Sequence, residues 1–251
     1  MQFYRCLLGE CNKKKHSIFL LLHLSIPVVL PSILVLYFLF RQVSIGAEAS
    51  NLIFFELIGI GTPVIISIIC GLVADSEHEA GHFQNILGLI RSRTVAFISQ
   101  TCVMVISYSA ALFLTIFVYT LTLKYLAGVD DVNFTHYYLL GIIFSGTSIF
   151  QYFFYQVVGY KYGIGMCSIC GFGGLIMTAL CLTKLGDKIW WLLPWAWPNR
   201  FSEYYLKITD EKLLSNAEFV MGTYSFLMMT TGMIVLSIVW INRWSGRKTH
   251  G

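Results

Sequence analysis

Asp75-Ser76-Glu77-His78-Glu79-Ala80-Gly81-His82-Phe83-Gln84-Asn85-Ile86-Leu87-Gly88-Leu89-Ile90-Arg91-Ser92-Arg93 separates two apolar runs, at about 52 to 74 and 94 to 123. A helix needs roughly 20 apolar residues to cross a hydrocarbon core, so the stretch reads as a polar link between two membrane spans. Outward from it, further runs lie at about 16 to 40, 136 to 160, 163 to 185 and 219 to 242. Composition supports this reading: 57% of the 251 residues are hydrophobic and 12% charged, with a mean hydropathy of +0.71, too apolar for a soluble globular surface. The expected fold is an all-α integral membrane protein with six transmembrane helices, in one domain over residues 1–251.

The first run exceeds a signal-peptide core of about 7 to 15 residues and has no small-residue cleavage site, so it is read as the first span. Before it, Phe3, Tyr4, Leu7, Leu8 and Cys11 recur at helical spacing and lead into Lys13, Lys14 and Lys15. That pattern predicts an interfacial helix over residues 1–15, resting on an anionic leaflet. Arg5, Lys13, Lys14, Lys15, Arg91, Arg93, Lys161, Arg243, Arg247 and Lys248 fall on one side, against Arg41, Lys124 and Lys184 at the short connections opposite. The positive-inside rule places both termini in the cytoplasm and makes residues 75–93 a cytoplasmic segment.

Two readings compete for that segment. His78-Glu79-Ala80-Gly81-His82 fits H-E-x-x-H, in which two imidazoles hold zinc and the glutamate acts as base of a membrane-embedded metalloprotease. Such a site needs a third ligand, yet the downstream acids Asp130, Asp131, Asp187, Glu203, Asp210, Glu211 and Glu218 all fall at the opposite side of the membrane. The favoured alternative is a short amphipathic helix that touches a soluble partner. Asp75, Glu77 and Glu79 would lie in its first turn, where negative charge suits the dipole, Phe83, Ile86, Leu87 and Ile90 would form its apolar stripe, and Arg91 and Arg93 would close it. No metal is expected in this reading.

Trp190-Trp191-Leu192-Leu193-Pro194-Trp195-Ala196-Trp197-Pro198, within the 186–218 connection, is too aromatic for a solvated loop and too broken by proline for a span. It is expected to dip into the outer interface as an extracellular re-entrant segment, either anchoring the last helix or handling an amphipathic substrate, with an amphipathic helix through Tyr204 behind it. Glu56 is the one acid well inside a run, either functional or snorkelling from about a turn below the surface. His23 and the Cys167/Cys170 pair are read as packing residues, and the seven cysteines give no disulfide framework. Gly59, Gly61, Gly163, Gly165, Gly171, Gly173 and Gly174 are expected at close helix contacts.

The chain resembles the ABC-2 type permeases, specifically the permease subunits of lantibiotic self-immunity exporters of the MutG/EpiG branch. The resemblance rests on the basic leader from Arg5 to Lys15 running into His23-Leu24-Ser25-Ile26-Pro27, on residues 77–87 followed by Ser92-Arg93-Thr94, on six spans, and on the Trp/Pro segment before the last. It implies a permease, not an enzyme, that pairs with a second, different permease and two copies of a cytoplasmic ABC ATPase. ATP and magnesium would belong to that ATPase, since the sequence has no G-x-x-x-x-G-K-[ST] loop. Lantibiotic or related antimicrobial peptide would be removed from a bacterial cell membrane, or, in an alternative, another amphipathic substrate. By resemblance, Glu77, Glu79, Phe83, Asn85, Leu87, Arg91 and Arg93 would couple to the ATPase, and Trp190, Trp191, Trp195, Trp197 and Tyr204 would meet substrate or outer lipid. Membrane lipids are partners in this reading and nucleic acid is not.

Overall fold

The computed structural model describes residues 2–15, 17–41, 47–88, 92–129, 133–207 and 216–247. Among these, every regular element is helical: α1 (Gln2–Lys14), α2 (Ile18–Arg41), α3 (Ala47–Glu79), α4 (Gln84–Leu87), α5 (Arg93–Tyr125), α6 (Phe134–Thr147), α7 (Ile149–Tyr162), α8 (Ile164–Cys181), a 3-10 turn (Trp190–Leu192), α9 (Trp197–Lys207) and α10 (Ala217–Arg243). Six stretches among the described residues are long and apolar enough to cross a membrane: Ile18–Phe40, Ser50–Glu79, Arg93–Tyr125, Phe134–Tyr162, Ile164–Cys181 and Ala217–Arg243. This is a multi-pass membrane protein. The fourth span comprises α6 and α7, separated only at Ser148, whose N–H still reaches the Phe144 carbonyl at 3.1 Å.

The second span is the axis of the bundle. α3 packs along α8 and α7, α2 lies on α5, and α10 leans on α7. Small residues let these backbones approach. A side chain at Gly171 would collide with Ser67 of α3, and one at Gly159 would press on Cys70 and Ala74, the close packing through small residues that replaces a hydrophobic driving force in lipid. Gly59 and Gly174 are crowded too, by Asn199 and by Trp195 with Tyr155. Gly165 and Gly173 instead face open space.

The outward surface is apolar where lipid would lie, as at Leu24, Val28, Leu227, Met228 and Leu236. The interior is dominated by aromatic rings. Phe54 stacks on Tyr119 with centroids 3.8 Å apart, and Phe55 packs on Phe144. One end of the bundle carries α1, the α3–α5 turn and the tail 244–247. We call this end proximal and the other distal.

Candidate functional site

The polar stretch builds a different local structure from the expected one. Glu77, His78 and Glu79 have no helix-breaking neighbour until Gly81, so α3 runs straight through the acids. Asp75, Glu77 and Glu79 therefore sit at the C-terminal end of a long helix, not in the first turn of a short one. Gly81, His82 and Phe83 follow with φ of 138°, 51° and 64°, and α4 is a single four-residue turn. Left-handed geometry costs about 1–2 kcal/mol for each of the two non-glycine residues. Burial of the Phe83 ring, 1% exposed, offsets this by about 1.5–3 kcal/mol, helped by edge contacts to Tyr160 and Trp244 at 5.2 and 4.9 Å.

Acids at a helix C-terminus oppose the dipole, and cations from both chain ends answer them. Lys13 of α1 reaches Glu77 at 2.7 Å and Glu10 at 2.8 Å. Gln100 of α5 donates to Glu10 and to Glu77, while its own carbonyl accepts from Gln156, at 3.0 Å, and from the Tyr160 hydroxyl. Gln156 in turn accepts from Thr101. One network thus joins α1, α3, α5 and α7. Burial pulls the Lys13 pKa down, but its bonds to Glu10 and Glu77 outweigh this and leave it raised. Lys14 is buried over the Phe19 ring at 4.7 Å, with no hydrogen-bond partner among the described residues. Burial pushes its pKa down to about 8, against the pull of Glu10.

On the other side of α3, Arg247 gives two 2.9 Å bonds to one oxygen of Asp75 and further bonds to the carbonyls of Gly159 and Tyr160. The second Asp75 oxygen accepts from the Ile164 N–H at the start of α8, and the guanidinium covers the Phe83 ring. Arg93 fixes the same tail through the Trp244 carbonyl at 3.0 Å.

The residues expected to meet a partner are therefore divided. Glu77, Phe83 and Ile86 are interior, Leu87 is half-buried, and Arg93 is engaged with the tail, whereas Glu79, His82 and Gln84 are exposed. Arg91 and the Asn85 side chain lie outside the described residues. His82 Nδ1 and His78 Nε2 are 3.2 Å apart and bonded to each other, and no group of three potential metal ligands occurs among the described residues. Because α3 stops at Glu79, the two histidines do not share the continuous helical face that H-E-x-x-H chemistry uses.

The aromatic segment also departs from expectation. It folds into the distal end as a plug: Trp190 and Trp197 have no exposed surface, and Trp191 and Trp195 are half-buried. Trp190 occupies the notch at Gly222 of α10, Trp197 packs edge-on against Phe150 and Phe226, and Trp195 donates to the Tyr155 hydroxyl at 2.8 Å. Ile189 and Leu192 are the exposed apolar residues there. Tyr204 donates to Glu218 at 2.6 Å. Buried Arg200 ties Asp187 to Glu203. Glu56 is half-buried in the wall of a small cavity shared with Asn199 and Glu203.

Gln100, Gln156 and Arg247 were missed in the sequence reading. Two glutamines within otherwise apolar spans were the available signal for the network, whereas nothing local marks Arg247. Compared with family models, curated proteins and solved structures, the chain gives no match.

Proposed function

We propose that this chain is the permease subunit of an ATP-driven exporter of the ABC-2 kind, which clears lantibiotic-type or related amphipathic antimicrobial peptides from a bacterial cell membrane. The supporting observation is an order of elements: an N-terminal amphipathic helix, six spans, a tight proximal turn after the second span, and a short helical plug between the fifth and sixth. The N-terminal helix and the number of spans accord with the resemblance, whereas the turn and the plug stand where it implied an amphipathic helix and an interfacial segment. Placing the proximal end in the cytoplasm follows from the distribution of Lys and Arg.

In this reading the proximal turn divides into contact and transmission. Exposed Glu79, His82 and Gln84 meet the partner ATPase, while Phe83 carries displacement inward to Tyr160 of the fourth span and Trp244 beyond the sixth. The Glu77 and Asp75 clamps keep α1 and the tail moving with α3. A second permease completes the membrane unit, and two ATPase copies supply the nucleotide chemistry.

Co-purification with the cognate ATPase in detergent tests this. Glu79→Lys combined with Gln84→Trp should reduce ATPase retention several-fold and abolish peptide resistance while leaving the melting temperature of the permease unchanged. Full retention with normal resistance would sink the reading.

A further inference from the structure

The turn after α3 brings two imidazole nitrogens together at the proximal surface. His82 lies past the end of the helix with φ of 51°, directly after Gly81 at 138°. Its N–H nevertheless returns to the His78 carbonyl at 2.7 Å, and the Phe83 N–H reaches the Glu77 carbonyl at 3.2 Å. The closed turn thus carries the His82 ring back onto the last turn of α3. Phe83, itself buried, packs against the His78 ring with centroids 5.6 Å apart. His78 Nε2 and His82 Nδ1 end 3.2 Å apart, with the ring planes at 79° and the ring centroids at 4.6 Å. His82 is exposed and His78 half-buried, so solvent reaches the contact.

Two neutral imidazoles in such a contact hold one proton between two nitrogens, one ring donating and the other accepting. The centroids are closer than a bond running straight along both ring axes would hold them, so at least one ring is turned aside from the line of the contact. The separation suits a metal ion better. Zinc–nitrogen bonds of about 2.0–2.1 Å at the tetrahedral angle set two ligand nitrogens about 3.3–3.4 Å apart, so an ion requires little movement of either ring. Neutral imidazole is the commonest metal ligand, and exposed Glu79 adds negative charge nearby. We infer that His78 Nε2 and His82 Nδ1 form a two-nitrogen chelate for a divalent transition-metal ion of the zinc, nickel or copper type. The ion takes the place of the shared proton, which moves to the outer nitrogen of the donor ring, and it ties the end of α3 to the turn at 81–83. No third protein ligand joins the pair among the described residues. The remaining coordination positions therefore take water, and the fixed triad of a zinc hydrolase is lacking. The coupling reading called for no metal here, and the inference does not depend on the exporter reading, because the chain binds the ion by itself.

Full-length protein without a polyhistidine tag, purified in detergent, is titrated with Cu²⁺, which leads the divalent series in affinity. Electron paramagnetic resonance should show two coupled nitrogens at one ion per chain, and excess Zn²⁺ should displace the copper. His78→Gln and His82→Asn should each leave one nitrogen and weaken binding several-fold. Asparagine tolerates left-handed backbone, so the turn at position 82 is kept, and unchanged melting temperatures without metal would establish it. His136→Gln, beside Tyr205 at the distal end, should alter neither signal nor affinity. A wild-type copper signal with one nitrogen or none, or a two-nitrogen signal that survives His82→Asn, would overturn the inference and leave a hydrogen-bonded pair.

Discussion

Lys13 and Glu77 are 64 positions apart in sequence and 2.7 Å apart in space, with the carboxylate almost fully enclosed and the ammonium side chain 44% exposed. The pair is therefore asymmetric. Lys13→Ala leaves the enclosed Glu77 carboxylate without its cation, the costly way to break a buried pair at up to about 3–5 kcal/mol, whereas Glu77→Ala leaves Lys13 bonded to Glu10 and partly in water and should cost less. Thermal unfolding in detergent gives the comparison, and equal losses from the two substitutions would contradict the asymmetry.

Arg247→Lys should fail to rescue what Arg247→Ala loses. A lysine presents one point of charge, while Arg247 grips Asp75 and two backbone carbonyls at once from a planar fork. Hydrogen exchange over residues 80–88 should quicken by a factor of ten or more in both variants. Protection that survives in Arg247→Lys would mean that charge alone holds the tail.

Trp190→Ala and Trp197→Ala should each destabilise the protein by about 3–5 kcal/mol, because both rings are fully enclosed. Leu192→Ala, at a site 49% exposed, should change stability by less than about 1 kcal/mol. If the Trp197 variant instead melts normally, the plug is held by its backbone and not by its indoles.

Lys14 should give stability an upward slope with pH. Its pKa is about 8 when folded and 10.5 in the unfolded chain, so between those values the unfolded state binds more protons and stability rises with pH, by on the order of 3 kcal/mol in total. Lys13 acts oppositely and only above that window, since its pKa is raised and its contribution is lost as pH climbs past it. Lys14→Met should be more stable than wild type at pH 7.5, with the gap narrowing by pH 9.5. A constant gap would show that Lys14 is already paired.

The spans were legible in the sequence because bilayer thickness alone sets their length, and Ser50–Glu79 or Arg93–Tyr125 need no knowledge of neighbours. The amphipathic leader was legible too, although Glu10 and Lys14 on its inner face find protein where an anionic leaflet was expected. The acids at 75, 77 and 79 were misplaced for a physical reason. Their charge favours a helix start, and the cations that permit a helix end, Lys13 and Arg247, come from opposite extremes of the chain. Likewise, the tryptophans at 190 and 197 carry the composition of an interface belt, and only the notch at Gly222, with the rings around it, turns them inward.

The Asp75–Arg247 contact spans 172 positions, which sets an order on biogenesis. At about 5–20 residues per second, a ribosome that has just made Asp75 needs roughly 9 to 35 seconds to make its counter-ion. Throughout that interval the inserted second span carries an uncompensated carboxylate at its proximal end, and Phe83 lacks the cover that Trp244 later provides. That opening closes only once residues 244–247 have been made and have docked.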